Sequence, residues 1–326
     1  MIAVQSLTRH FGTIKAVDNI SFTVNKGEIL GFLGPNGAGK STTMKMITTF
    51  LPPTSGTATV GGCDIIEQPL AVRGKIGYLP ESSPSYRDMN VFDFLTFAAE
   101  VRGYDGDERF SRVKNIMETC NLKEVAWQQI DTLSKGFRQR VGFAQAFLHD
   151  PEYLILDEPT DGLDPNQKQE MRSLIRKMGR EKCIILSTHI LEEVEAICSR
   201  AIIIGEGKIV ADGSPEELRS QSKLHGAISL ELIDVDLKEA ISALEKVQCV
   251  DKVVEIGSDF SGSPVAENGS GKKRLKLRLY PMSGKSIAQE TARFIHQRSW
   301  QVDGFTVEKG DLNEVFYNLT RGGAPK

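Results

Sequence analysis

The chain has 326 residues, of which 40% are hydrophobic and 25% are charged, so its composition is that of an ordinary folded protein and its length predicts two domains. Its net charge of −3 argues against a nucleic-acid partner, because proteins that bind polyanions usually carry a basic patch. Because the sequence contains neither an apolar run long enough for a membrane span nor a signal-peptide pattern, we expect a cytoplasmic protein that reaches a membrane only through a partner.

Apolar strands alternate with amphipathic helices from about residue 1 to 215, a pattern that predicts an α/β domain with a parallel sheet. AVDNISFTV and EILGFLG are early strands, and a helix is expected from Ser41 to Leu51. The later runs YLILDE and CIILSTH are short and almost wholly apolar, which is typical of strands that are buried on both faces. We place this domain at residues 1–219.

The segment GPNGAGKS links the strand EILGFL to the helix that follows, and it matches G-x-x-x-x-G-K-[ST] at every fixed position. Glycines allow consecutive backbone N–H groups to turn toward phosphate oxygens, and the helix N-terminus adds a positive dipole end. We expect Lys40 to reach the β- and γ-phosphates of ATP and Ser41 to hold Mg²⁺. The predicted nucleotide contacts in this segment are Gly34, Pro35, Asn36, Gly37, Ala38, Gly39, Lys40, Ser41 and Thr42.

The pattern changes to helices between Tyr86 and Asp150, which predicts a helical insertion at about 86–150. Near its end, the segment LSKGFRQR precedes a helix whose apolar residues recur at helical spacing. Read locally, this segment is a helix N-terminus with a solvated basic rim. It could also be half of an active site whose other half lies elsewhere.

Two carboxylates, Asp157 and Glu158, end the strand YLILDE, and the carboxyl ends of strands are where ligands bind in open α/β sheets. Asp157 fits the carboxylate that holds Mg²⁺. Adjacent strand residues point to opposite sides, so Glu158 can instead accept a proton from the water that attacks the γ-phosphate. The alternative, two exposed carboxylates at a strand end, is weakened by the phosphate-binding segment earlier in the chain.

A second domain is predicted at residues 220–326, where the elements follow the β-α-β-β-α-β order of ferredoxin-like folds. The stretch SDFSGSPVAENGSGKK, at about 258–273, interrupts this order and is rich in Gly, Ser and Asn, so we expect a mobile loop there. The order of elements leaves two roles open, a small-ligand sensor or an appendage that supports a dimer or coupling.

LSKGFRQR, LILDEPTDGLDP and LSTH occur in the order found in the nucleotide-binding subunits of ABC transporters, which the chain resembles over about residues 1–215. The resemblance implies a P-loop NTPase fold with a parallel core sheet, an antiparallel N-terminal sheet and a helical insertion. It also implies an ATPase that uses ATP and Mg²⁺ to power a membrane transporter. GYLPE and the C-terminal tail resemble exporter-type subunits, including those of gliding-motility systems.

The resemblance assigns further roles residue by residue. Ser134 and Gly136 match the signature loop, which contacts the γ-phosphate, and Asp164 matches the D-loop along the dimer seam. His189 resembles the histidine that contacts the γ-phosphate, and Phe11 lies where the family places an aromatic ring against adenine.

Three positions depart from the family pattern. Glu81 replaces the usual glutamine, and its carboxylate remains a candidate metal ligand because Mg²⁺ prefers hard oxygen ligands. In the signature loop, usually LSGGQ, Lys135 replaces a small residue and Phe137 a polar one. The charge of Lys135 could assist a bound triphosphate or simply face solvent.

One phosphate-binding loop and one signature loop do not complete a site in the ABC pattern, so we expect a second copy of the chain as partner, in a head-to-tail dimer with two shared sites. The other expected partner is an integral membrane permease subunit, which would hold the chain at the cytoplasmic face of the membrane. The alternative is a soluble ABC ATPase that acts on ribosomes or DNA. Such relatives usually carry two nucleotide-binding sets in one chain or long coiled coils, and this sequence has neither.

Overall fold

The computed structural model describes residues 1–82, 85–256, 274–282 and 285–320. The chain divides into two compact units, one formed by Met1–Pro215 with the chain end from Phe316 and the other by Glu216–Val315. The loop predicted at about 258–273 lies outside the described residues.

Strands of the first unit form two sheets. The strands are β1 Ile2–Phe11, β2 Ile14–Val24, β3 Ile29–Leu33, β4 Ser55–Val60, β5 Cys63–Asp64, β6 Ile76–Leu79, β7 Tyr153–Asp157, β8 Cys183–Thr188, β9 Arg200–Gly205 and β10 Lys208–Gly213. The central sheet has the order β10-β9-β3-β8-β7-β6 and is parallel except for the β9–β10 pair. Strands β7 and β8 are buried along their whole length, as their apolar runs predicted, and β3 is buried in the same way.

The second sheet of this unit is antiparallel, with the order β2-β1-β4-β5. Its inner face and one face of the central sheet enclose a common apolar core. The rings of Phe22 on β2 and Phe32 on β3 lie 5.5 Å apart within that core. The predicted P-loop NTPase architecture is therefore confirmed, including its antiparallel N-terminal sheet.

Helices of the first unit are α1 Lys40–Ile47, α2 Pro69–Lys75, α3 Val91–Val101, α4 Gly106–Thr119, α5 Lys135–Phe147, α6 Pro165–Gly179 and α7 Leu191–Ile197, and α8 Pro215–Arg219 contains the point where the two units divide. Helices α3, α4 and α5 pack together as the helical insertion. The predicted extent of α1 was wrong at its end. It stops at Ile47 rather than Leu51, because Thr49 adopts a left-handed backbone conformation with φ of 61°.

The second unit contains β11 Ile228–Ile233, α9 Leu237–Leu244, β12 Val250–Glu255, β13 Arg274–Pro281, α10 Ala288–Gln297 and β14 Gln301–Val307, followed by α11 Leu312–Thr320. Its antiparallel sheet has the order β12-β13-β11-β14. Alternate residues of β11 are buried opposite alternate residues of β13, and Leu230 faces Leu277 in register. Residues of α9 and α10, including Leu244 and Ile295, belong to the same core. The predicted β-α-β-β-α-β order is confirmed.

Candidate functional site

The phosphate-binding segment runs from the end of β3 to the first residue of α1. Gly39 precedes the helix with φ of 106°, and a Cβ atom there would lie 2.4 Å from the carbonyl oxygen of Ala16. Only glycine therefore fits at this turn, which is one reason for the fixed glycine of the motif. The loop leaves the first N–H groups of α1 without partners in their own helix, as an anion site requires.

Lys40 is folded back over this loop and is only 6% exposed. Its Nζ atom donates to the carbonyl oxygen of Gly34 at 2.7 Å and lies 3.8 Å from Oε1 of Glu158. Burial lowers the pKa of Lys40, and the nearby carboxylates of Glu158, Asp157 and Glu81 oppose that shift. A buried ammonium group that is held against the carbonyl oxygen of Gly34 at a phosphate-binding loop is suited to bind a polyphosphate.

Asp157 ends β7 beside β8, where its register partner is Ser187. Its Oδ1 atom accepts hydrogen bonds from the hydroxyls of Ser41, at 3.1 Å, and of Ser187. The predicted metal ligands Ser41 and Asp157 thus lie together as a hydroxyl and a carboxylate. Ser187 is a site residue that the sequence analysis missed, although its place in LSTH, next to Asp157 in a parallel sheet, was a usable signal.

Glu158 follows directly, with φ of 48°, and its side chain turns toward His189. Nδ1 of His189 lies 2.9 Å from Oε2 of Glu158. Burial raises the pKa of Glu158, whereas the hydrogen bond from His189 and the charge of Lys40 oppose the rise. A buried carboxylate that is held between a histidine and a lysine can accept a proton from a water molecule in front of it.

Glu81 and Phe11 are the less constrained members of the predicted set. Glu81 is exposed just beyond β6, and its charge opposes the lowering of the Lys40 pKa. Burial raises the pKa of Tyr78, and the charges of Asp157 and Glu81 add to that rise. Phe11 ends β1 with 46% of its surface exposed, and the Arg9 guanidinium lies 4.8 Å from its ring centroid.

Ser134, Gly136 and Asp164 form a second group of predicted site residues. Ser134 is exposed and caps α5, where its hydroxyl accepts from the N–H of Phe137 at 3.3 Å. Asp164 caps α6 in the same way. The first group consists of the residues that contact one another around Lys40, Asp157 and Glu158. The second group lies at the starts of α5 and α6.

Comparisons with known proteins identify the family. The family profile described as "ABC transporter" matches residues 17–161. The linearmycin resistance ATP-binding protein LnrL of Bacillus subtilis is 31% identical over 98% of both chains. This chain belongs to the ABC transporter ATP-binding proteins. A further relative, the probable multidrug ABC transporter ATP-binding protein YbhF of Escherichia coli, is 38% identical over 68% of this chain and 38% of its own length.

A solved structure described as the ATP-binding subunit of an ABC transporter shares the fold of this ABC protein. It has a TM-score of 0.62 and 29% identity, and it covers 68% of this chain and 92% of that chain. As a member of this family, the protein hydrolyses ATP to drive a transporter. The alternative of a ribosome- or DNA-associated ATPase has no support among these relatives.

Proposed function

We propose that this ATPase subunit works as a head-to-tail dimer that closes around two ATP–Mg²⁺ and powers export through a membrane permease. The observation that carries the proposal is the cluster of Lys40, Glu158 and His189 beside the phosphate-binding loop. Residues 1–219 are proposed as the ATP-binding domain, with the insertion at about 86–150, and residues 220–326 as an accessory domain.

The proposed nucleotide contacts are the backbone and side chains of residues 34–42, with the exposed ring of Phe11 against the adenine.

Ser41 and Asp157 would hold Mg²⁺, because their hydroxyl and carboxylate converge and both are hard oxygen ligands. Glu81 is proposed as a further ligand of the Mg²⁺ ion. Among the described residues, no group of three or more His, Cys, Asp or Glu side chains is arranged so that it could hold a metal ion by itself. The triphosphate would therefore supply part of the coordination of the Mg²⁺ ion. When bound, the ion neutralises charge that develops on the phosphate oxygens.

Glu158 is proposed as the general base, and its protonation state depends on His189. The base must be ionised, so turnover falls as pH drops through the pKa of Glu158. Burial raises that pKa. The midpoint of the acid limb, in a plot of kcat against pH, should therefore lie at a higher pH than the ordinary pKa of glutamate, about 4.3. His189→Ala removes an interaction that lowers the pKa, so the limb should move to still higher pH and kcat should fall.

The measurement is ATP-dependent phosphate release across a pH series for the wild type and His189→Ala. His225→Ala is the control, because His225 lies in the second unit and bonds the carbonyl oxygen of Lys309. A midpoint that is identical in His189→Ala and the wild type would contradict the assigned interaction.

Each proposed site is completed by the other chain. Ser134 would donate its hydroxyl to the γ-phosphate of the partner's ATP, and the Gly136 N–H and the start of α5 would add donors and a positive dipole end. Asp164 would lie along the seam. The exposure of Ser134 supports this, since its hydroxyl is accessible to a second molecule.

A groove of 840 Å³ beside the helical insertion is proposed as the docking surface for the permease. It is lined by Leu70, Arg73, Gly74, Tyr78, Ser85, Tyr86, Phe94, Phe97, Ala98, Val101, Arg102, Tyr104, Gln145, Ala146 and His149. Within the described part of the chain, the Tyr78 hydroxyl and His149 Nδ1 are buried without hydrogen-bond partners. Burial lowers the pKa of His149 to about 4, so this ring in the wall of the groove is neutral.

Phe97→Glu should weaken binding of the permease by more than about tenfold, because aromatic residues at the centre of an interface often contribute about 2 kcal/mol or more. Phe97 is 39% exposed in the groove and packs against Tyr86 at 5.4 Å. The measurement is the amount of chain recovered with membranes that contain the permease. ATP hydrolysis by the free chain is measured in parallel. Phe50→Glu is the control, since Phe50 is 74% exposed and is not among the groove residues. Equal recovery of the two variants would contradict this docking surface.

Export is proposed from the names of the relatives, which refer to linearmycin resistance and probable multidrug transport. Export is one way in which a transporter can confer resistance. Across the described residues, each helix is too short or too polar to span a membrane. From its membership of the transporter family, we propose that the subunit lies at the cytoplasmic face of the membrane and is held there by the permease.

A further inference from the structure

Lys135, the first residue of α5, contacts the loop that follows the chain's own Glu158. Its Nζ atom donates to Oδ2 of Asp161 at 3.0 Å. The side chain also lies across Gly162, where a Cβ atom would come within 1.9 Å of Nζ. Gly162 has φ of 64° and no side chain, so the lysine can lie directly on the backbone. The charge of Lys135 is therefore paired with a carboxylate of its own chain.

Further contacts join the start of α5 to residues 159–170. Nε2 of Gln139 donates to the carbonyl oxygen of Pro159 at 3.1 Å, and both groups are buried. A Cβ atom on Gly136 would lie 2.3 Å from Oε1 of Gln167, so that side chain packs directly on the signature-loop backbone. Arg140 forms an ion pair with Glu170. A displacement of the loop after Glu158 would therefore be transmitted to the start of α5.

Asp161 connects this contact to the chain's own ATP site. Its N–H donates to the carbonyl oxygen of Glu158 at 3.2 Å. The hydrogen bond from Lys135 lowers the pKa of Asp161, and the charge of His189 acts in the same direction. Asp161 thus lies between Lys135 on one side and the Glu158–His189 pair on the other.

We propose that Lys135 is a positioning residue that couples the two ATP sites of the dimer. In this arrangement, a shift of Glu158 and His189 on ATP binding or hydrolysis moves Asp161. Lys135 then transmits the shift to Ser134, which acts on the partner's ATP. The inference rests on the proposed function, because it requires that Ser134 serve a site in the second chain. Such coupling is reciprocal, so each site would respond to occupancy of the other.

The test is the dependence of the ATPase rate on ATP concentration for the full-length chain. Cooperativity between two coupled sites can give a Hill coefficient up to about 2. Lys135→Met and Asp161→Asn should each reduce it toward about 1, the value for independent sites. The double exchange Lys135→Asp with Asp161→Lys keeps an ion pair at these positions and the combined length of its two side chains. It should therefore restore cooperativity. Because both partners are about half exposed, salt should lower the wild-type coefficient more than that of Lys135→Met.

Lys123→Met is the matched control, since Lys123 forms a similarly exposed ion pair with Glu118 at 2.7 Å, outside the loops described above. It should keep the wild-type coefficient. An unchanged coefficient in Lys135→Met, or a double exchange that stays non-cooperative, would overturn the inference. A wild type that hydrolyses ATP with a coefficient of about 1 would also overturn it and leave the ATPase function standing. A wild type without ATP hydrolysis would overturn the proposed function as well.

Discussion

Glu158→Gln should lower ATP turnover by about 10² to 10⁴-fold, the usual contribution of a general base. Glutamine keeps the shape of the side chain but cannot accept the proton. The change also removes a negative charge that lies 3.8 Å from Lys40 and would face the triphosphate. ATP binding should therefore be retained or tightened, and the ATP-bound dimer should accumulate because hydrolysis no longer opens it.

Two measurements check this prediction, phosphate release at saturating ATP and the fraction of dimer in sedimentation or size-exclusion experiments with ATP. Glu152→Gln is the matched control, because Glu152 is exposed and lies immediately before the same strand, β7, at its opposite end. The control should behave like the wild type. Turnover near the wild-type rate in Glu158→Gln would exclude this residue as the base.

Much of the fold and half of the site could be predicted because the signals are local. The glycines of residues 34–41 and the apolar run before Asp157 fix a turn and a buried strand over a few residues. The order of elements likewise predicted the ferredoxin-like unit. The end of α1 was missed, because nothing in the apolar pattern shows that Thr49 adopts a positive φ.

Contacts between distant segments could not be predicted in this way. Lys135 departs from the family pattern, yet its partner Asp161 is 26 residues away, and its neighbour Gly162 is recognisable only once the two loops are packed. The Phe137 ring, another departure, lies 5.6 Å from the Arg140 guanidinium, one helical turn along α5. The sequence could show that these positions are unusual, but tertiary packing determines what each side chain contacts.

Mixing Lys40→Ala chains with Ser134→Ala chains should restore ATP hydrolysis that neither variant shows alone. Lys40→Ala removes the cation from the phosphate loop in both sites of its own dimer. Ser134→Ala removes one γ-phosphate donor from both sites, a loss of about 10²–10³ in turnover by analogy with single donors in other active sites. A mixed dimer pairs the intact phosphate loop of the Ser134→Ala chain with the intact Ser134 of the Lys40→Ala chain.

Random pairing in an equal mixture makes about half of the dimers mixed, each with one intact site of two, so the rate can reach at most about a quarter of the wild-type rate per chain. Coupling between the sites would lower this value without abolishing it. The control is a mixture of Lys40→Ala chains with chains that carry both substitutions, since every site in it lacks Lys40 and no rise is expected.

Stability must be measured alongside, because Ser134 caps α5 with its hydroxyl and loss of a helix cap costs about 0.5–2 kcal/mol. A thermal unfolding curve shows whether Ser134→Ala has weakened the fold. Mixing repairs only the loss of a phosphate donor. If the rate of the mixture equals the mean of the two variants, and both remain folded, Ser134 does not act on the partner's ATP.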